Sequence, residues 1–138
     1  MPSSFLHRIF TQLFPSKSKR LGNLAEDKAA QLLVQKGFKI IYRNWRPNHG
    51  YGEIDIIADR NGQLVFVEVR ARQQGTLVRG ALSLNHHKKQ VLRQTIQAYL
   101  RQRRYKIDEA PSWRVDLVEA QTDGAKILAL NHFEGVAL

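Results

Sequence analysis

The sequence predicts an α/β domain with a mixed five-stranded sheet flanked by helices. Segments with helical periodicity and segments with strand-like alternation follow one another in the order α-β-β-β-α-β-β. A strand, a helix and a further strand in succession favour a right-handed parallel crossover. The 138 residues are enough for one hydrophobic core. We therefore expect a three-strand meander followed by a crossover to a parallel strand.

An amphipathic, basic segment is predicted over residues 1–20, before the domain. Its apolar residues are separated by polar ones, which is typical of an amphipathic helix and not of a signal peptide. A polar joint at 15–20 leads into the domain, which we expect over residues 21–138. No apolar run approaches the ~20 residues of a membrane span, so no integral membrane segment is predicted.

The first helix and first strand follow from the spacing of apolar residues. Residues 21–32 carry an apolar stripe at helical spacing, and Gly37 is placed to end the helix. Residues 38–43 alternate as a strand. Residues 44–52 hold a proline and two glycines, which indicates a loop.

A tight hairpin is predicted to join the second and third strands, at 53–60 and 63–72. Its loop is Asn61-Gly62, a strong signal for a type I′ turn, because both central positions of that turn need positive φ.

The second half of the domain is predicted to hold one helix and two strands. The helix covers 86–104 and follows a loop at 73–85. The strands cover 113–120 and 125–130, with a Thr-Asp-Gly turn between them.

Two acids face each other across the predicted hairpin. A two-residue loop places Asp55 opposite Glu68, with Cβ atoms roughly 4.5–5.5 Å apart, whereas a three-residue loop would separate them onto opposite faces. Their repulsion can be offset by a divalent cation, by one shared proton or by an intervening arginine. The alternative is a plain solvated face, on which Arg70 and Arg72 make surface ion pairs.

The charge of the chain favours a polyanionic partner. Lys plus Arg number 22 against 12 Asp plus Glu, a net charge of +10. Such an excess attracts DNA, RNA or an anionic membrane surface. The chain has no cysteine, which excludes disulfides and thiolate metal sites, fits a reducing compartment and leads us to expect a cytoplasmic protein.

A spaced set of motifs closely resembles the YraN-like family of bacterial proteins, which is regarded as related to Holliday junction resolvases and restriction endonucleases. The motifs are GNLAE at 22–26, YRNWR at 42–46, GEIDII at 52–57, FVEVRAR at 66–72, KK at 88–89 and RVD at 114–116. The resemblance implies a restriction-endonuclease-like fold with a PD-(D/E)xK-type centre.

Site residues follow from this resemblance by position. Asp55 matches the strand aspartate, Glu68 the second acid, and Glu26 the helix glutamate of resolvase-like members. The three would hold Mg²⁺ or Mn²⁺, and Arg70 occupies the place usually held by a catalytic lysine. The implied activity is metal-dependent endonuclease cleavage, of branched DNA if the resolvase likeness extends that far.

Arg70 is the main departure from the pattern, because a guanidinium does not deprotonate in proteins. Either Arg70 keeps only an electrostatic role, or Lys88 or Lys89 reaches the site, or activity is reduced or lost. Glu53 is interpreted as the salt-bridge partner of Arg70, with metal ligation as the alternative.

Phosphate contacts are predicted from cations near the motifs, and DNA is favoured over RNA. These cations are Arg43, Arg46, Arg72, Lys88 and Lys89. The arginines at 101–104 are interpreted as helix-end cations that favour the helix dipole. Arg114 and Asp116 are interpreted as a structural ion pair, and the resolvase resemblance implies a homodimer.

Two other classes of function stay open. The first is a nuclease-fold protein that binds nucleic acid without cutting it, which the arginine at position 70 favours. The second is a membrane-surface or partner-docking module that uses the Phe-rich segment at 1–20.

Overall fold

The computed structural model describes residues 17–75, 84–105 and 109–138, and residues 1–16 of the predicted segment at 1–20 lie outside them. Its elements follow the predicted order α-β-β-β-α-β-β. They are α1 (Lys17–Gln35), β1 (Lys39–Trp45), β2 (Ile54–Arg60), β3 (Gln63–Gln73), α2 (His86–Gln102), β4 (Trp113–Thr122) and β5 (Ile127–Phe133). The predicted mixed α/β architecture is confirmed.

The five strands form one sheet in the order β1-β2-β3-β4-β5. Neighbouring strands are antiparallel except β3 and β4, which are parallel and are joined through α2. The meander and the parallel crossover are therefore both present as predicted. Neither helix within the described ranges is long and apolar enough to cross a membrane.

The β2–β3 hairpin has the predicted register. Asn61 and Gly62 both have positive φ, 53° and 85°, and Arg60 pairs with Gln63. The pairing continues without a shift to Ile56 and Val67. Side chains on the two strands consequently fall on the faces that the two-residue turn requires.

The sheet is covered on both faces, and each helix buries a separate apolar cluster. On one face α1 contributes Ala29 and Leu33, which pack with Ile56 and Val67. On the other face α2 contributes four fully buried or nearly buried side chains: Leu92, Thr95, Ile96 and Tyr99. Burying a side chain of this size contributes roughly 1.5–3 kcal/mol.

Several predicted boundaries were wrong by a few residues. Residues 17–20, predicted as a polar joint, form the first turn of α1, because lysine and arginine are good helix formers and no proline follows them. Trp45 extends β1 by pairing with Ile54, and β5 runs on to Phe133, which pairs with Leu117. Long-range pairing has overridden the local sequence signals at these ends.

Candidate metal centre

Asp55 lies where β2 and β3 part. The ladder between these strands ends at Ile56 and Val67, while Ile54 still pairs with β1. The Asp55 carboxylate takes the place of a backbone acceptor on β2, since its Oδ2 accepts a hydrogen bond from the Val69 amide at 2.8 Å. This hydrogen bond fixes the orientation of the Asp55 carboxylate.

A cleft of about 380 Å³ opens between this fork and the start of α2. It is lined by Tyr51, Glu53, Asp55, Glu68, Leu84, His87, Lys88, Val91 and Leu92. Asp55 and Glu68 both line this cleft, so the two acids lie close together, as the predicted hairpin register requires. They lie just beyond the last ladder pair rather than within the ladder.

Glu26 joins the site from the other side of the sheet. Carboxylate oxygens of Glu26, Glu53 and Asp55 all lie within 4.8 Å of one another. Glu26 is near the middle of α1, one residue past the buried Ala25, and this position at the edge of the apolar stripe directs it to the sheet. Glu26 therefore lies beside Asp55, and Glu53, interpreted from the sequence as an ion-pair partner, lies there too.

Asn44 holds two of these carboxylates, and the sequence analysis missed it. With its amide nitrogen turned toward the acids, Asn44 donates to Glu26 Oε2 at 3.1 Å and to Glu53 Oε1 at 2.9 Å. Its φ is +54°, a left-handed conformation that asparagine tolerates better than most residues. The signal in the sequence was its place in the YRNWR motif at 42–46, to which no role was given.

Burial and mutual repulsion raise the pKa values of Asp55 and Glu26. Burial first, and then the charge of Glu68, raise the pKa of Asp55 from 3.8 to about 7, against the Val69 hydrogen bond. Burial, followed by the charges of Asp55 and Glu53, raises the pKa of Glu26 to about 7. Near neutral pH these two carboxyls are therefore only partly ionised.

Glu68 shares this perturbation but has cations beside it. Burial raises its pKa, and the charges of Lys88 and Arg70 oppose the rise. Lys88 Nζ lies 3.8 Å from Glu68 Oε1. Arg70 stands where related proteins have a catalytic lysine, and the sequence left open whether another lysine reaches the site. The position of Lys88 agrees with that alternative.

Glu53 does not pair with Arg70 as interpreted from the sequence. It precedes β2 and bonds Arg46, with Arg46 Nη2 2.7 Å from Glu53 Oε2. Arg70 instead lies beside Glu119 in the parallel β3–β4 ladder. Glu53 lies outside β2 and three residues beyond the last ladder pair, so the hairpin does not hold it opposite Arg70.

The predicted phosphate-binding cations lie in ion pairs or beside the centre. Arg43 Nη2 is 2.7 Å from Asp27, and Arg46 is bound to Glu53. Arg72 is turned inward, with its side chain 18% exposed and its Nε 3.2 Å from Glu119 Oε2, which makes it a poor phosphate ligand. Lys89 is half-buried in the first turn of α2.

Asp116 organises a separate cluster at the other end of α1. It accepts hydrogen bonds from Arg114 and from the Gly135 amide, and His132 lies 2.8 Å away. Burial raises the pKa of Asp116, but the hydrogen bonds to His132 and Arg114 outweigh it and lower the value overall. The predicted Arg114–Asp116 ion pair is confirmed, and its partners satisfy the buried acid.

The donor set at the cleft fits a hard divalent cation. Every charged ligand atom is a carboxylate oxygen, as Mg²⁺ and Mn²⁺ prefer. The raised pKa values mark repulsion that a cation would relieve. Asp55 is the common member, because it contacts the Glu26–Glu53 group and also shares the cleft with Glu68.

The fold and site define a class, a small α/β protein with a mixed sheet and a cluster of carboxylates where two antiparallel strands part. A sequence profile of the uncharacterised protein family UPF0102 matches residues 25–120. This chain belongs to that family, which agrees with the YraN-like motifs.

Individual relatives match along most of their length. A UPF0102 protein of Alkaliphilus oremlandii is 35% identical over 119 residues, covering 85% of this chain and 97% of the relative. One of Chloroflexus aurantiacus is 35% identical, covering 86% and 92%. One of Brachyspira hyodysenteriae is 32% identical, covering 75% and 86%.

Proposed function

We propose that this protein is a divalent-metal-dependent nuclease that hydrolyses phosphodiester bonds in DNA. The observation that carries the proposal is the meeting of Asp55, Glu68 and Glu53 in one cleft with a lysine at its rim. Glu26 adds a fourth carboxylate beside Asp55 and Glu53. An oxygen-only donor set beside a cation suits a phosphate ester better than a neutral substrate.

Asp55, Glu68 and Glu26 would hold Mg²⁺ or Mn²⁺, with Glu53 as a further oxygen donor. When bound, the ion supplies Lewis acidity to water and to the scissile phosphate. Asn44 keeps Glu26 and Glu53 turned toward Asp55, and a group that orients metal ligands in this way affects metal affinity as strongly as a weak ligand does.

Two cations of the chain would act on the phosphate. Lys88, whose side chain is 47% exposed, can leave Glu68 to bind a phosphoryl oxygen as negative charge develops there. It stands in the first turn of α2, where Asn85 caps the helix and the backbone dipole favours anions. Arg70 adds positive charge next to Glu68 but cannot serve as a base.

The decisive experiment measures cleavage of labelled branched and linear DNA by the purified chain with Mg²⁺ or Mn²⁺. We expect cleavage that EDTA stops and that Asp55→Asn abolishes. Asp59→Asn is the matched control, since it makes the same change in the same strand away from the carboxylate cluster. Equal, background-level cleavage by wild type and Asp55→Asn with both metals would refute the nuclease proposal.

Arg70 favours a second candidate, a protein that binds DNA without cutting it. Binding that survives EDTA, combined with no measurable Mn²⁺ affinity, would select that candidate. RNA of the same sequence, a sedimentation measurement of mass and localisation in bacterial cells test the remaining parts of the proposal: a preference for DNA, a homodimer and action in the cytoplasm.

A further inference from the structure

A second depression, of about 500 Å³, lies between the β1–β2 loop and the end of α2. One wall is the β1–β2 loop at residues 47–49, and the other is the last part of α2, with Arg101 and Arg104. Among the described residues, the lining includes His49 and no acidic side chain. We call this depression the basic groove.

The two arginines of the basic groove differ from the ion-paired arginines near the sheet. Arg43, Arg46 and Arg72 each have a carboxylate within 3.2 Å. Arg101 and Arg104 have no ion pair within residues 17–75, 84–105 and 109–138, and both are exposed. Two guanidiniums that have no ion pair in those ranges and lie on the same wall of a concave surface favour an anion from outside the molecule.

Arg104 also has an unfavourable backbone conformation. It follows the C-cap residue Arg103 with φ at +52°, and its amide bonds the Arg101 carbonyl at 3.1 Å. Glycine is the residue that ends helices in this conformation without steric cost. A glycine here would relieve the backbone and remove one of the guanidiniums that line the groove.

The basic groove and the metal cleft are two ends of one surface. The β1–β2 loop lines the groove with residues 47–49 and the cleft with Tyr51 and Glu53. Between them Gly52 packs against Thr95 of α2 so closely that a Cβ would collide with the threonine hydroxyl. Arg101 lies thirteen positions after Lys88 along α2, which corresponds to a helical rise of about 20 Å. The same distance spans roughly six base pairs of duplex DNA.

We propose that the basic groove is a second phosphate-binding site, which grips the backbone of the nucleic acid about 20 Å from the metal centre. The inference rests on the proposed function for the identity of its ligand, but not on catalysis. Arg101 and Arg104 are the contacts, and the groove makes the protein select substrates long enough to reach both sites.

The test measures binding of a fluorescein-labelled 16-nucleotide DNA in EDTA over a range of salt concentrations. Losing two phosphate contacts in Arg101→Gln/Arg104→Gln should lower the salt slope by about 1.4–1.8 and weaken binding roughly 25- to 60-fold at 0.1 M salt. Lys39→Gln/Lys126→Gln is the matched control. It removes the same charge from exposed positions on β1 and in the β4–β5 turn.

Arg104→Gly separates a binding role from a structural one. It should weaken DNA binding and also raise the melting temperature by about 3 °C, because it relieves the left-handed backbone. A structural role would lower stability in the same variant.

An affinity and salt slope of Arg101→Gln/Arg104→Gln equal to those of wild type and the control double variant would overturn the inference. Because the assay contains no metal, this result is independent of whether the protein cuts DNA. If the protein cuts DNA but the arginine substitutions do not affect binding, only the groove inference is refuted. If the substitutions weaken binding but the protein does not cut DNA, only the nuclease proposal is refuted.

Discussion

Replacing Asp55 by asparagine should stabilise the metal-free protein at alkaline pH and remove its affinity for Mn²⁺. The Asp55 carboxylate lies among Glu26, Glu53 and Glu68, and burial prevents water from screening their repulsion. Asparagine loses the charge but keeps an oxygen that can accept the Val69 amide hydrogen bond.

The magnitude follows from the raised pKa of Asp55, from 3.8 to about 7. The folded state holds this proton more tightly than the unfolded state, so the stability is full below pH 4 and is lost as the pH rises through 7. At 1.36 kcal/mol for each pH unit, ionising Asp55 costs about 4 kcal/mol. An asparagine amide keeps part of the burial cost, so we expect a gain of ~2 kcal/mol at pH 8, or about 6 °C in melting temperature.

Urea and thermal unfolding in EDTA, at pH 5 and pH 8, measure this gain. Asp55→Asn should match wild type at pH 5 within about 0.5 kcal/mol and exceed it at pH 8, whereas Asp59→Asn should show no such dependence on pH. Added Mn²⁺ should stabilise wild type and leave Asp55→Asn unchanged. If wild type is no less stable than Asp55→Asn at pH 8, the carboxylates do not repel each other as we argue.

Four further substitutions test separate parts of the structure. Asn44→Ala should lower Mn²⁺ affinity about 10- to 100-fold in isothermal titration calorimetry, because it frees two glutamates that the amide holds; unchanged affinity would show that the amide does not orient them. Lys88→Met should reduce kcat for DNA cleavage about 100-fold while Mn²⁺ affinity is kept, and equal losses in both would make it a structural residue. Asp116→Ala should lower the free energy of unfolding in urea by about 3–5 kcal/mol, since it removes the buried carboxylate that Arg114, His132 and the Gly135 amide share; a loss under 1 kcal/mol would contradict the buried network. Gly52→Ala should lower the melting temperature by several degrees, because φ is +112° and a Cβ would meet α2, and an unchanged melting curve would argue against that close packing.

The sequence was sufficient for the parts of the site that depend on local rules. Asn61-Gly62 dictates a turn of fixed length, and that length fixes which residues of β2 and β3 share a face. Asp55 and Glu68 could therefore be placed together before any coordinates were known. Glu26 could be placed because a helical period states which residues border the buried stripe.

Contacts between elements far apart in the sequence could not be predicted in this way. The left-handed Asn44 follows an irregularity in the β1–β2 pairing between Ile40 and Tyr42, which no local pattern announces. Arg72 meets Glu119 because of the parallel register of β3 and β4, which α2 and the whole crossover set together. The basic groove likewise needs the β1–β2 loop to lie against α2.

The hydrogen bond from the Val69 amide to the Asp55 side chain links the backbone of β3 to the position of a carboxylate at the centre. Anything that pulls the carboxylate away, whether protonation, a competing ligand or a neighbouring replacement, must also release that one main-chain proton. Its nuclear magnetic resonance frequency and its rate of exchange with deuterium would consequently act as a built-in gauge of the state of the acids, readable without substrate and without turnover.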